Sequence, residues 1–285
     1  MREQRREVAG IPMRWLERGE GAPVVLVHGI LTGPRLWRHV VAKLEDMRVL
    51  AWEMVGYGNS WAAGDGRDIS VKAQAHYLLD WLDVLAIDRA VFAGHDLGGG
   101  VAQIAAVRSP DRCAGLVLTN SIGYDSWPIP MVKALAAIHP MVARLPRALL
   151  RRLLAGFIRP GHDSRERTRE SIQEHLEAYD HRGGATAFAR QLRSLRTEDT
   201  LEVAPRLPEL GIPAAVVWGA SDRFQTLDYG RRLAGDLAAE LEIVEHGKHF
   251  MPEDHPDELV AAIHRVLTEA DVPTAGRKRT EPRAG

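Results

Sequence analysis

The chain predicts an α/β protein in which a mostly parallel sheet is covered by helices on both faces and interrupted once by a helical insertion. Three observations carry that expectation: short β-branched runs that end in glycine or a polar residue, helix-period stretches that alternate with them, and a long central segment without a strand-like run.

The first run is PVVLVHG (23–29), followed by RVLAWEM (48–54), RAVFAG (89–94), CAGLVLTNS (113–121), PAAVVWG (213–219) and AELEIVEHG (239–247). Each is short enough and apolar enough to be a buried strand. Helical spacing falls between or after them, at Pro34–Leu44, Ser70–Ala86, Gly99–Ser109 and Pro256–Thr268, the last with Leu259, Ile263 and Val266/Leu267 on one stripe. The alternation breaks from about Tyr124 to Arg206, where MVARLPRALLRRLLAGFIR and SRERTRESIQEHLEAYDHRGG read as arginine-rich helix. Pro128, Pro130 and Pro140 mark the entry to that segment, and Pro205 and Pro208 mark its exit. The expected organisation is therefore a core over 1–123 and 207–271, a helical cap over 124–206, and a mobile tail over 272–285, where VPTAGRKRTEPRAG offers too little apolar surface to offset ordering.

Bulk composition excludes several roles. A formal charge of -1 over 285 residues provides no global attraction to nucleic acid or to a membrane surface. The one cysteine, Cys113, has no partner for an internal disulfide, and the N-terminus carries no apolar secretion segment, so a reducing cytoplasm is the expected compartment. No apolar run approaches the roughly 18 residues that cross a bilayer. His246, His249 and His255 lack partners at metal-ligand spacing, so neither metal nor cofactor is expected. Arg165 and Arg169 with Glu166 and Glu170 read as a solvated helical face.

In an open parallel sheet the chemistry collects where the strands stop. Four such ends carry reactive side chains: His28-Gly29, Asp96 in AGHDLGGG (93–100), Asp222 in WGASDRF, and His249 in EHGKHF. Asp96 stands between Gly94 and Gly98 directly before a helix, which suits a sharp strand-to-helix turn with an anion at the helix N-terminus. In chain order, Asp96, the insertion, Asp222 and His249 resemble the α/β-hydrolases over nearly the whole length. HG at 28–29, VGYGNS at 55–60 and HFMPEDHP at 249–256 resemble further motifs of that superfamily. The resemblance implies Asp96 as nucleophile, Asp222 and His249 as acid and base, and the backbone N–H groups of Ile30 and Leu97 as an oxyanion hole.

Aspartate in place of serine narrows the chemistry. Serine alkylated at saturated carbon would be trapped as an ether, whereas a carboxylate of reference pKa about 3.9 is already ionised and yields an ester that water can cleave. Aspartate therefore fits opening of an epoxide or displacement of a halide; the resemblance implies a small, mainly apolar epoxide first, with a haloalkane or haloacid as the alternative and non-catalytic ligand binding as a third reading. Leu97 stands where haloalkane dehalogenases typically place a leaving-group tryptophan, and Leu97 and Gly100 depart from the HDRG-x-R pattern of fluoroacetate-type dehalogenases. Epoxide hydrolases use cap tyrosines, for which Tyr124 and Tyr179 are the candidates, although HGIL departs from their usual HG-x-P. Trp127, in YDSWPIP, is the candidate halide donor. Tyr229 reads as structural, and His95 as a support of the turn.

Overall fold

The computed structural model describes residues 1–270, so the tail expected over 272–285, with residue 271, lies outside the described residues. One eight-stranded sheet organises the chain, in the order β1-β2-β4-β3-β5-β6-β7-β8. Six of its strands are those expected: β3 (Ala22–Val27), β4 (Met47–Glu53), β5 (Ala90–Asp96), β6 (Cys113–Ser121), β7 (Ala214–Gly219) and β8 (Glu240–Val244), all paired in parallel.

The remaining two form an N-terminal hairpin that the sequence reading passes over. β1 (Arg2–Val8) and β2 (Ile11–Arg18) pair antiparallel, and β2 joins β4 antiparallel. Their two-residue turn places Ala9 at φ 48° and Gly10 at φ 74°, the positive-φ pair that matches strand twist in tight hairpins. β1 is exposed along most of its length, so its composition, REQRREV, carries no apolar signal.

Successive residues of β3 face opposite sides of the sheet. Val25 and Val27 pack with Trp81 of α2 (Val71–Val84), Ile104 of α3 (Leu97–Arg108) and Leu233 of α10 (Leu227–Asp236). Val24 and Leu26 pack with Val40 of α1 (Arg38–Lys43) and Ile263 of α12 (Pro256–Glu269). Both faces are therefore closed by apolar burial at about 25 cal/mol per Å².

Between β6 and β7 the chain has helices and, among the described residues, no strand, with α4 (Pro130–Ala137), α5 (His139–Val142), α6 (Arg147–Ile158), α7 (Arg165–Leu176), α8 (Gly184–Arg193) and α9 (Glu198–Val203). α6 shows why: Leu150, Leu154 and Ile158 recur at helical spacing and are buried, while its arginines stand outside. Glu170 is less solvated than its pairing with neighbouring arginines suggests, because it reaches Arg38 and His39 of α1 at 2.8 and 3.1 Å. Among the described residues no helix is long and apolar enough to cross a membrane.

A buried ionic cluster fastens the insertion to the core. Glu253, in α11 (Met251–Asp254), pairs with Arg38 and with His175 of α7 at 3.0 Å. Burial opposes its ionisation, but His175, Arg38 and His162 outweigh it and hold the carboxyl well below the usual range. A carboxylate depressed in this way contributes stability above its unfolded pKa, about 4.3, and loses that contribution as pH falls further. Glu253→Gln removes the buried one of Arg38's two counter-charges, leaving Glu170, and is expected to destabilise the fold by about 2–3 kcal/mol at pH 7, read by urea unfolding.

Candidate active site

Asp96 is the last residue of β5 and the first residue before α3. Its backbone lies at φ 50° and ψ -121°, a conformation that costs a non-glycine residue about 1–3 kcal/mol and persists where the surroundings impose it. Here the surroundings are close-packed backbone. A Cβ on Gly98 would lie 2.2 Å from the carbonyl oxygen of Val27, so only glycine lets the start of α3 rest against the end of β3. On the other side, a Cβ on Gly29 would lie 2.6 Å from Asp96 Oδ2, which is how the HG loop approaches the carboxylate.

That approach supplies a hydrogen bond: the N–H of Ile30 donates to Asp96 Oδ2 at 2.9 Å. Burial raises the Asp96 pKa above its ordinary value, while His249 and the N–H groups of Ile30 and Leu97 favour the charged form and offset part of the rise. The loop is oriented from behind by His28, whose Nδ1 meets the Gly29 carbonyl at 2.8 Å and whose Nε2 accepts the Met54 N–H at 3.1 Å. Burial lowers the His28 pKa to about 4, so it serves as a neutral brace.

Asp222 and His249 meet as the sequence order suggests, with His249 Nδ1 2.8 Å from Asp222 Oδ2. Burial disfavours the His249 cation, but the charge and hydrogen bond of Asp222 and the charge of Asp96 prevail, raising its pKa. His95 contributes position only: its Nε2 donates to the His249 carbonyl at 2.9 Å, and burial holds its pKa well below the ordinary histidine value. Asn120, passed over in the sequence, holds the same oxygen of the acid that meets His249. Its Nδ2 donates to Asp222 Oδ2 at 2.6 Å, and its Oδ1 accepts the Gly219 N–H at 3.0 Å. The signal available for it was a polar residue at the carboxyl end of a buried strand.

Asp96 and His249 line one cavity of about 70 Å³, with apolar walls that include Leu97, Ile122, Phe157 and Phe250. A carboxylate, a histidine–carboxylate pair and a backbone donor are thereby arranged around a space suited to a small apolar molecule. A larger cleft of about 160 Å³ beside Arg14 and Glu53 contains none of Asp96, Asp222 and His249.

The leaving-group candidates fare differently. Tyr124 is corrected as a substrate residue: it does not line the cavity, its hydroxyl donates to Asp236 at 2.6 Å, and its ring lies under Arg232 at 3.6 Å. Tyr179 is corrected likewise, since it is buried in the insertion with its hydroxyl donated to Gln191 at 2.9 Å. Trp127 does line the cavity, yet its indole N–H is given to Thr200 Oγ1 at 2.7 Å rather than to the open space. Tyr229 stacks on Tyr124 outside the cavity. Gln225 lines the cavity and was not singled out in the sequence.

Comparison with known proteins agrees with this geometry at the level of fold. The chain is 28% identical over 264 residues to haloalkane dehalogenase 2 of Mycobacterium tuberculosis, covering 88% of this chain and 90% of that one. It is 27% identical to 2-hydroxy-6-oxononadienedioate/2-hydroxy-6-oxononatrienedioate hydrolase 1 of Dechloromonas aromatica, covering 86% of each. A crystal structure of an alpha/beta hydrolase fold protein from Burkholderia ambifaria superposes with a TM-score of 0.82 at 26% identity, over 91% of this chain and 96% of that one. The family model described as alpha/beta hydrolase fold matches residues 22–256, a span that contains the turn at Asp96, the helical insertion and the Asp222–His249 pair, and the chain belongs to that family.

Proposed function

We propose that this hydrolase acts at a saturated carbon through an alkyl ester on Asp96, with small apolar epoxides as its first substrate class. The observation that carries the reading is the state of the carboxylate. Asp96 Oδ2 already accepts the Ile30 N–H while the side chain faces an apolar cavity shared with His249. That leaves Oδ1 as the attacking atom and Oδ2 as the future ester carbonyl, whose oxyanion the same N–H groups would stabilise during hydrolysis. Asp222 and His249 complete the proposed triad, and the insertion acts as the cap that keeps bulk water out. A carboxylate attacking an ordinary ester would give an anhydride with no leaving-group assistance in these apolar walls, so simple esters are poor substrates.

Epoxides rank before halides because a departing halide must leave as a free anion through mostly apolar walls, where the Trp127 indole N–H is already given to Thr200. Ring opening instead relieves strain and keeps the oxygen tethered to the substrate. Dehalogenation is the second reading, supported by the likeness to haloalkane dehalogenase 2. Panels of terminal epoxides and of bromo- and chloroalkanes decide between them, with diol measured in one case and free halide in the other. Diol formation without halide release is expected. Rapid aryl-ester hydrolysis with both panels untouched would remove the proposal.

A further inference from the structure

Gln225 is the one side-chain amide on the cavity wall beside Asp96 and His249. It is 3% exposed, and among the described residues its Oε1 has no hydrogen-bond partner and its Nε2 donates to no protein group, so the amide N–H is free for an acceptor in the cavity. Each other polar side chain lining that space has one partner, Asp96 Oδ2 with the Ile30 N–H, His249 Nδ1 with Asp222 and the Trp127 indole with Thr200, which leaves Asp96 Oδ1 and His249 Nε2 for the two chemical steps. Native proteins rarely leave a buried amide without a partner, and one that persists at a cavity wall is a site a ligand would complete. Its backbone is held from both sides. The Phe224 N–H donates to Asp222 Oδ1 at 2.7 Å, and the Trp218 indole N–H donates to the Gln225 carbonyl at 3.0 Å. The amide therefore has a fixed root on the loop that carries the acid, and its last torsion can present donor or acceptor to the cavity.

We propose that Gln225 is the leaving-atom residue: its side-chain N–H hydrogen-bonds to the atom displaced when Asp96 attacks, in the role first assigned to the tyrosines. The assignment rests on the proposed alkyl-ester chemistry. With an epoxide, a bond forms between Asp96 Oδ1 and a ring carbon, and that carbon's bond to the ring oxygen breaks with its electron pair staying on oxygen. The alkoxide accepts a hydrogen bond from the Gln225 N–H, which keeps its proton. Water activated by His249 then cleaves the ester. Its oxygen remains on Asp96, the former Oδ1 leaves on the product, and the two hydrogens of that water complete the two hydroxyls of the diol. With a halide the same N–H meets the departing anion, and the water's second hydrogen leaves as a proton.

The test is adduct formation in a His249→Gln background, followed by intact mass with 1,2-epoxyhexane and, separately, 1-bromohexane. Adding Gln225→Leu is expected to slow the adduct on the order of 10²-fold with whichever probe reacts, while the thermal midpoint stays equal or rises because an unpartnered buried amide has been removed. Gln225→Met is the second variant and should behave alike. Adduct formation within about twofold of the parent in both variants overturns the assignment and leaves the Asp96 chemistry standing, as does slowing that merely tracks a lowered thermal midpoint. A parent that forms no adduct with either probe defeats the alkyl-ester reading, and the Gln225 assignment falls with it.

Discussion

His249→Gln is expected to halt the reaction halfway: the substrate alkylates Asp96, turnover falls about 10³-fold, and protein heavier by one substrate molecule accumulates. The two half-reactions need different things. Alkylation needs an ionised Asp96 and does not need a base, whereas ester cleavage needs water made nucleophilic by a neutral imidazole. Glutamine fills the space of the ring and cannot take the proton. The pH dependence follows from the directions of the two shifts. Burial raises the Asp96 pKa above its ordinary 3.8, so alkylation weakens as pH falls through a midpoint above that value. The Asp222 carboxylate raises the His249 pKa above 6.5, so ester cleavage in the unaltered protein quickens as pH rises through a midpoint above 6.5. Rapid-quench intact mass across pH separates the two. A non-catalytic binding protein on this scaffold would give no adduct at any pH, and a serine-type hydrolase would give none on Asp96.

Asp96→Asn should remove activity altogether, by on the order of 10⁴-fold or more, because a neutral amide does not displace a leaving group from carbon. The fold should survive the change. Asparagine tolerates positive φ better than most residues, matches the carboxyl in size, and its side-chain oxygen can still accept the Ile30 N–H. The variant also releases the desolvation cost that raises the Asp96 pKa, so its thermal midpoint is expected to equal or exceed that of the parent. Loss of adduct and of turnover in a folded, slightly stabilised protein separates a missing nucleophile from a collapsed site. Residual turnover above about a hundredth of the parent's would point to another nucleophile.

Much of this was legible in one dimension because the relevant physics is local or repeats along the chain. Parallel strands buried on both faces must be apolar, so β3 to β7 stand out as runs, and a residue forced into positive φ between glycines marks the turn at Asp96. At one sheet edge β8, ELEIV, has no buried residue and reads as a buried strand from its β-branched end alone. The antiparallel hairpin at the other edge has no such requirement, and its charged composition concealed it. The misassigned side chains share another cause. Where the Tyr124 hydroxyl points depends on Asp236, 112 residues away, and where the Trp127 indole points depends on Thr200, 73 residues away. Asn120 and Gln225 were missed for the converse reason, since an amide declares its role only through the partners it has or lacks.

The most direct measurement is a single turnover with enzyme in excess in water enriched in oxygen-18, followed by digestion and mass analysis of the peptide bearing Asp96. Attack by the carboxylate and later cleavage of its ester at the acyl carbon puts one heavy oxygen into that side chain, while the first molecule of product carries an unlabelled oxygen taken from the protein. Product labelled from solvent, with an unlabelled Asp96 peptide, would contradict the alkyl-ester intermediate and return the carboxylate to the part of a general base.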